Sequence, residues 1–295
     1  VHADNGHKRL CTENIWERGE SKMKPKTTEK VMKAILWLSG LLTLTILATI
    51  LIYIISRGLS KINIEFLTQL PRRMGMEGGI YPAIISTFYF TVVTILMAAP
   101  MGVATAVYLT EYSRQNICVK VIRFGNDMLS AVPSIVFGLF GYTLFVVKLK
   151  PITGGWSILS GALTGMFMIL PTIIRASEEA IKAVPGEYKE ASLALGASKG
   201  QTVTRIIIPA AMPGIITGVI GETAAFLLTL GGSVLIPGSI FSPARTLAMH
   251  IYLTAMEVGA LDMAFGTAAV LIMTILILNL ITHMVLSRYS RLSSR

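Results

Sequence analysis

The 295 residues are 53% hydrophobic and only 14% charged, with a mean hydropathy of +0.66, whereas a soluble domain carries about a quarter charged residues. Water is thereby excluded as the main solvent for the chain. The net charge of +10 calls for no nucleic-acid partner, because an uneven spread of Lys and Arg about apolar spans accounts for it.

A helix needs about 18 or more apolar residues to cross ~30 Å of hydrocarbon, and six such spans follow in chain order. Residues 1–33 form a polar tail, partly disordered, in which Met23 opens the basic run "MKPKTTEKVMK" and is an alternative start to Val1. The first span, 34–56, exceeds the apolar core of a cleavable leader and lacks a small-residue cleavage site, so it is expected to remain as a helix. The second is 83–110 and the third 128–147. The fourth, 151–174, opens on glycines and polar residues. The fifth, 210–235, carries Glu222 and is followed by a re-entrant or surface segment with Pro237 and Pro243; the sixth is 263–287. Backbone groups in lipid must bond internally, so helices are expected throughout. The expected fold is all-α and polytopic, one membrane domain over 34–290 without an internal repeat.

Orientation follows from the basic residues. With the tail in the cytoplasm, 19 of the 26 Lys and Arg fall on that side and 7 on the other, which predicts both termini in the cytoplasm of a cell-membrane protein.

The loop 175–209 is charged yet patterned for order. The fourth helix should continue through "RASEEAIKAV" and stop before Pro185, which disfavours helix in its predecessor. A second helix, "GEYKEASLAL", places Glu187 and Glu190 near its positive end and ends on Gly196, a left-handed stop. Ser198 and Gln201, spaced as a capping box, open a third that leads to Pro209. On the middle helix Glu187, Glu190, Ala191 and Ala194 share one face, and the alanines leave its backbone open to close contact. Such a face suits a groove on another protein or the membrane surface.

The run "EASLALG" at 190–196, nine residues, then "IIIP" at 206–209 resembles the EAA motif of ATP-binding-cassette (ABC) importer permeases, with Ser192 in place of the third residue of that pattern and Ile208 in place of its Leu. The segments "GGIYPAIISTFYFTVVTILMAAPMGVATAVYLTEYS" (78–113), "AVPSIVFGLFG" (131–141), "LPTIIRASEEAIKAVP" (170–185) and "GETAAFLLT" (221–229) are similar to phosphate-specific permeases of the PstA type. The resemblance covers nearly everything from Gly78 onward. It implies a type I importer permease fold of the MetI-like kind, in which Glu187, Glu190, Ala191, Ser192 and Gly196 couple the chain to an ATPase. It also implies a PstC-type permease as heterodimer partner, two copies of a PstB-type ATPase, and an extracytoplasmic phosphate-binding protein. One feature departs from many relatives: the residues before the GET triplet, "ITGVIGET", hold Gly218 and Val219 where an Arg is expected.

Several residues are candidates for lining the pathway. Glu222, with Thr223 beside it, lies within a span, where a carboxylate costs roughly 2.5–3.5 kcal/mol unless paired or wetted. Arg175 and Glu178 are three apart at the end of the fourth span and are expected to pair, with the planar fork of Arg175 suited to phosphate. Pro133 and Ser134 break the third helix, which frees backbone N–H groups for an anion. Gly161, Gly165, Gly214, Gly218 and Gly221 suit close helix packing. The four histidines form no metal pattern, Cys11 and Cys118 no paired motif, and neither a catalytic set nor a phosphate-cradling GxxxxGK[ST] loop occurs. No cofactor is expected, and ATP hydrolysis is assigned to the partner.

Overall fold

The computed structural model describes residues 25–112, 117–211 and 227–293. The chain divides into two units, residues 1–53 and 54–295. In the first unit the described residues belong to helix α1 (Pro25–Leu59). Its Ser39, Thr43, Thr45 and Thr49 hydroxyls each donate to a carbonyl three or four residues back, which satisfies polar side chains inside an apolar helix.

The second unit is built on two long helices, α3 (Tyr81–Val107), preceded by the short α2 (Ile64–Thr68), and α7 (Ile158–Lys182). Phe90, Ala98 and Ala106 lie on a buried stripe of α3 that steps every four residues through Ser86, Thr94 and Gly102. Phe90 packs with Ile158 and Ala162, Ala98 with Met166, Ile169 and Ile173, and Ala106 with Ile181. The numbers rise together, so α3 and α7 run parallel. Close approach explains the glycines of α7: a Cβ added at Gly161 would lie 2.8 Å from Leu230.

Between them in sequence come α4 (Ile117–Ala131), α5 (Ser134–Gly141), which continues as a wider π turn through Tyr142–Lys148, and α6 (Lys150–Thr153). The third span differs from expectation. The helix starts at Ile117 rather than residue 128, and it bends by 102° between Ile117–Ala131 and Ser134–Lys148. Pro133 has no N–H to give and disfavours helix at Val132, so the break falls where those two residues stand. Four described helices are long and apolar enough to cross a membrane, Glu29–Leu59, Tyr81–Tyr112, Ile158–Lys182 and Leu261–Ile281, and the bent pair makes five. Of the expected fifth span, 210–235, residues 212–226 lie outside the described residues, and with them Glu222, Thr223, Gly214, Gly218 and Gly221.

α8 (Gly186–Ala194) and α9 (Lys199–Thr202), which continues as a π turn through Val203–Ile207, follow α7 at its C-terminal end. The other end of α7 is capped. Ser157 accepts from the Ser160 N–H at 3.1 Å, and the chain after α10 (Leu227–Leu230) folds over it, with Ser242 and Ile240 carbonyls accepting from the Ile158 and Leu159 N–H groups. A parallel bridge between Gly231 and Ala244 closes that loop. It leads to α11 (Leu247–Tyr252), extended as a π turn over Leu253–Glu257, and to α12 (Leu261–Ser293). The segment expected to be re-entrant or on the surface is thus a lid of irregular chain tied to the start of α7 through the Ile240 and Ser242 carbonyls.

Under the lid lies a buried cation. Arg245 is 7% exposed and donates from Nε to the Gly232 carbonyl at 3.0 Å; its Nη1 is 3.5 Å from the Met74 carbonyl and from His250 Nδ1. Met74 belongs to the turn between the two-residue strands β1 (Pro71–Arg72) and β2 (Glu77–Gly78). Arginine has no acceptor, so Nδ1 accepts and Nε2 carries the hydrogen. Burial, reinforced by the Arg245 charge, lowers the His250 pKa from 6.5 to about 4; burial also lowers that of Arg245, against the opposing pull of Glu257.

Candidate functional site

The site grows from the α8–α9 hairpin. Pro185 caps α8 and starts it afresh after α7. At its far end the Gly196 and Ala197 N–H groups return to the Leu193 and Ser192 carbonyls, the crossed pair of bonds that a left-handed residue allows. Gly196 has φ +84°, a region costing other residues roughly 1–2 kcal/mol. The capping box is complete: Ser198 Oγ accepts from the Gln201 N–H at 3.3 Å and Gln201 Oε1 from the Ser198 N–H at 2.8 Å.

Four of the five coupling candidates, Glu187, Glu190, Ala191 and Gly196, are exposed, as are Ala194 and Leu195. Leu195 is 90% exposed, an apolar side chain presented at the hairpin tip. Ser192 stands apart. It is buried, and its hydroxyl lies 2.9 Å from Thr202 Oγ1, which itself donates to the Ser198 carbonyl. Ser192 therefore holds α8 against α9 from within, while its neighbours on the outer face stay open.

Two contacts tie the hairpin to the end of α3, where the helix widens into a π turn over Tyr108–Tyr112. Lys189 bonds Glu111 at 2.5 Å, and the Lys199 ammonium sits 5.0 Å above the Tyr112 ring, an attractive geometry for a cation on an aromatic face. Beneath it, Ala106, Ile181, Val203, Ile207 and Ala211 form one buried cluster. These contacts connect α8 to α3, α7 and the chain after Ile207. Sequence reasoning missed Lys189, Glu111 and Lys199, since partners 78 residues apart leave no local spacing signal.

The expected Arg175–Glu178 pair does not form. Both residues instead reach α4, which packs antiparallel along α7. Glu178 is turned inward, its side chain 8% exposed, and accepts from Arg123 Nη1 and Lys182 Nζ, each at 3.0 Å. Arg175 points outward and donates from Nη2 to Asp127 Oδ1 at 2.7 Å and to Ser130 Oγ at 3.2 Å. The cause is register: α4 sets a cation opposite Glu178 and a carboxylate opposite Arg175, so Arg175 pairs across the helices while Glu178 is shared between Arg123 across them and Lys182 along its own. Ser134 and Pro133 are exposed at the bend, seven and six residues beyond Asp127. Among the described residues no group of three or more His, Cys, Asp or Glu could hold a metal ion.

A bundle of long apolar helices, interrupted by a polar hairpin with one open face, is the architecture of a multi-pass membrane subunit that another protein engages. Residues 98–291 match the family described as binding-protein-dependent transport system inner membrane component, and the chain belongs to that family. It is 37% identical over 282 residues to a probable ABC transporter permease protein, YqgI, of Bacillus subtilis strain 168, covering 88% of this chain and 95% of that one. It is 31% identical to the phosphate transport system permease protein PstA of Haemophilus influenzae, covering 88% and 94%. The fold is similar to that of a bacterial ABC transporter involved in the import of the acidic polysaccharide alginate, at a TM-score of 0.62 and 16% identity over 89% of this chain and 99% of that one. The expected type I permease fold is therefore the observed one.

Proposed function

We propose that the chain is the phosphate-translocating permease subunit of an ATP-driven importer and that α8 is the face on which the ATPase docks. The observation that carries the docking assignment is the outer surface of α8, with Glu187, Glu190, Ala191, Ala194, Leu195 and Gly196 exposed on a hairpin braced from within by Ser192 and Thr202. Phosphate as cargo is supported by the 31% identity, over most of both chains, to a phosphate transport system permease. The implied assembly is a PstC-type second permease, two PstB-type ATPase subunits beneath, and a phosphate-binding protein on the opposite side of the membrane. The 19-to-7 division of Lys and Arg supports a cytoplasmic hairpin and cytoplasmic termini.

Closure of the ATPases would move α8, and through Lys189–Glu111 and Lys199–Tyr112 the end of α3 moves with it. For such closure to change access, the ATPase must bind the two states of the permease with different affinity. The pathway role of Glu222 and Thr223 belongs to this proposal, because a carboxylate within an apolar span is costly unless it is paired or wetted.

Gly196→Arg tests the docking face. No atom lies within 4 Å of a Cβ added there, so the variant inserts and pairs with the second permease, while the strained corner and bulky cation keep the ATPase off. ATP-driven phosphate uptake is expected to be lost with membrane insertion intact. Undiminished uptake rejects α8 as the docking face. ATP-driven uptake of molybdate or phosphonate, with none of phosphate, would replace the cargo and leave the docking face standing.

A further inference from the structure

We infer that Asp127 is a stand-in ligand for the transported anion, holding Arg175 in a clasp that phosphate opens by exchange. The inference rests on the phosphate reading above and adds to it a residue on α4 that the sequence did not single out.

The two ion-pair sites joining α4 to α7 differ in kind. Glu178 is 8% exposed and shared by Arg123 and Lys182, so it is shielded from water and doubly compensated. Arg175 and Asp127 are 55% and 62% exposed. An ion pair so open to solvent holds weakly and exchanges readily. The first site is an anchor and the second a clasp.

The donor inventory shows how exchange would proceed. A guanidinium has five N–H donors; Arg175 uses Nη2, on Asp127 and Ser130, and among the described residues Nη1 and Nε have no hydrogen-bond partner. An oxyanion can take one of those remaining N–H groups before the carboxylate leaves, so the guanidinium is never stripped of its counter-charge. Phosphate carries more negative charge than a carboxylate and matches the same planar fork, which favours the exchange. A released Asp127 is repelled by the arriving anion.

The clasp also lies beside the bend. Asp127 and Ser130 occupy the last turn of α4, and Ser130 Oγ donates to the Asp127 carbonyl at 2.8 Å, so the turn moves as a unit. Pro133 follows at the 102° break. With the clasp open, the last turn of α4 is released from α7 while the Arg123–Glu178 anchor, one turn earlier, still holds. Asp127 is thus a positioning residue that acts through Arg175.

The test uses the whole transporter, with its second permease, ATPase and binding protein, in liposomes loaded with radiolabelled inorganic phosphate. Phosphate accumulation by the unmodified complex with ATP is measured first, and its absence overturns the phosphate reading itself. Passive efflux without ATP then tests the clasp. Asp127→Asn is expected to raise efflux about three- to fivefold, the factor a half-exposed ion pair sets. Asp127→Glu, which keeps the carboxylate, is expected to hold efflux near the unmodified level. Co-purification of all subunits checks that each variant assembles. Unchanged efflux in Asp127→Asn overturns the inference, and so does an equal rise in Asp127→Glu.

Discussion

The two ends of α7 solve opposite problems with the same residue types. At the Ile158 end, polar groups are buried and bonded locally: Ser157 and Ser160 close on Gly155 and Thr153, and Arg245 is spent on carbonyls and a neutral imidazole. At the Lys182 end, Arg175, Asp127 and Lys182 stand exposed and ion pairs reach across helices, with donors of Arg175 left unused. Burial makes the first end costly to rearrange, because every displaced group loses a bond it cannot regain from water. Exposure makes the second cheap to rearrange. The difference separates the part of the molecule that holds from the part proposed to move.

Glycine substitution should break the comparison open most widely. Gly161→Leu drives a side chain into Leu230 and Phe90 and is expected to cost roughly 3 kcal/mol through overpacking, read as loss of folded protein in a detergent thermal-shift assay. Gly196→Leu, in open space at the other end, should cost only the roughly 1–2 kcal/mol of its left-handed backbone. Equal losses would show that the hairpin is as tightly packed as the lid.

Glu178→Gln sharpens the comparison within the moving end. It removes the negative charge that two cations share, but Arg123 and Lys182 are 46% and 59% exposed and regain water. The expected loss is about 1–3 kcal/mol, larger than for Asp127→Asn, whose pair is exposed on both sides. A larger loss for Asp127→Asn in the same thermal assay would reverse the roles of anchor and clasp.

A test at His250 reads the holding end by pH and leaves stability near neutrality untouched. Its pKa is lowered from 6.5 to about 4 on folding, so the unfolded chain binds the proton first as pH falls. The stability tied to neutral His250 is therefore full above about pH 6.5 and lost progressively down to about pH 4. Melting temperature should fall over that window, and His250→Gln should remove that part of the fall. A variant with an unaltered pH profile would show that the Arg245 site does not titrate.

The hairpin was legible in the sequence almost residue by residue because its devices are local. Pro185 acts on its predecessor, Gly196 on its own φ, and Ser198 with Gln201 within one turn, so no distant partner has to be known. The inward turn of Ser192 was not legible, since the face it belongs to is decided by Thr202 across the corner. The bend at Pro133 was foreseen, but its 102° and the helix beginning at Ile117 were not.

By itself the sequence determined that the chain spans a membrane several times, where α7 stops, and that a capped, glycine-cornered hairpin follows. These depend on hydropathy and on rules reaching three or four residues. Only the tertiary structure decided that Arg175 and Glu178 part company, because α4, 48 to 55 residues away, lies antiparallel against α7 and sets opposite charges in register. Coulomb attraction selects the nearest opposite charge in space, and distance in space is what a linear sequence does not state.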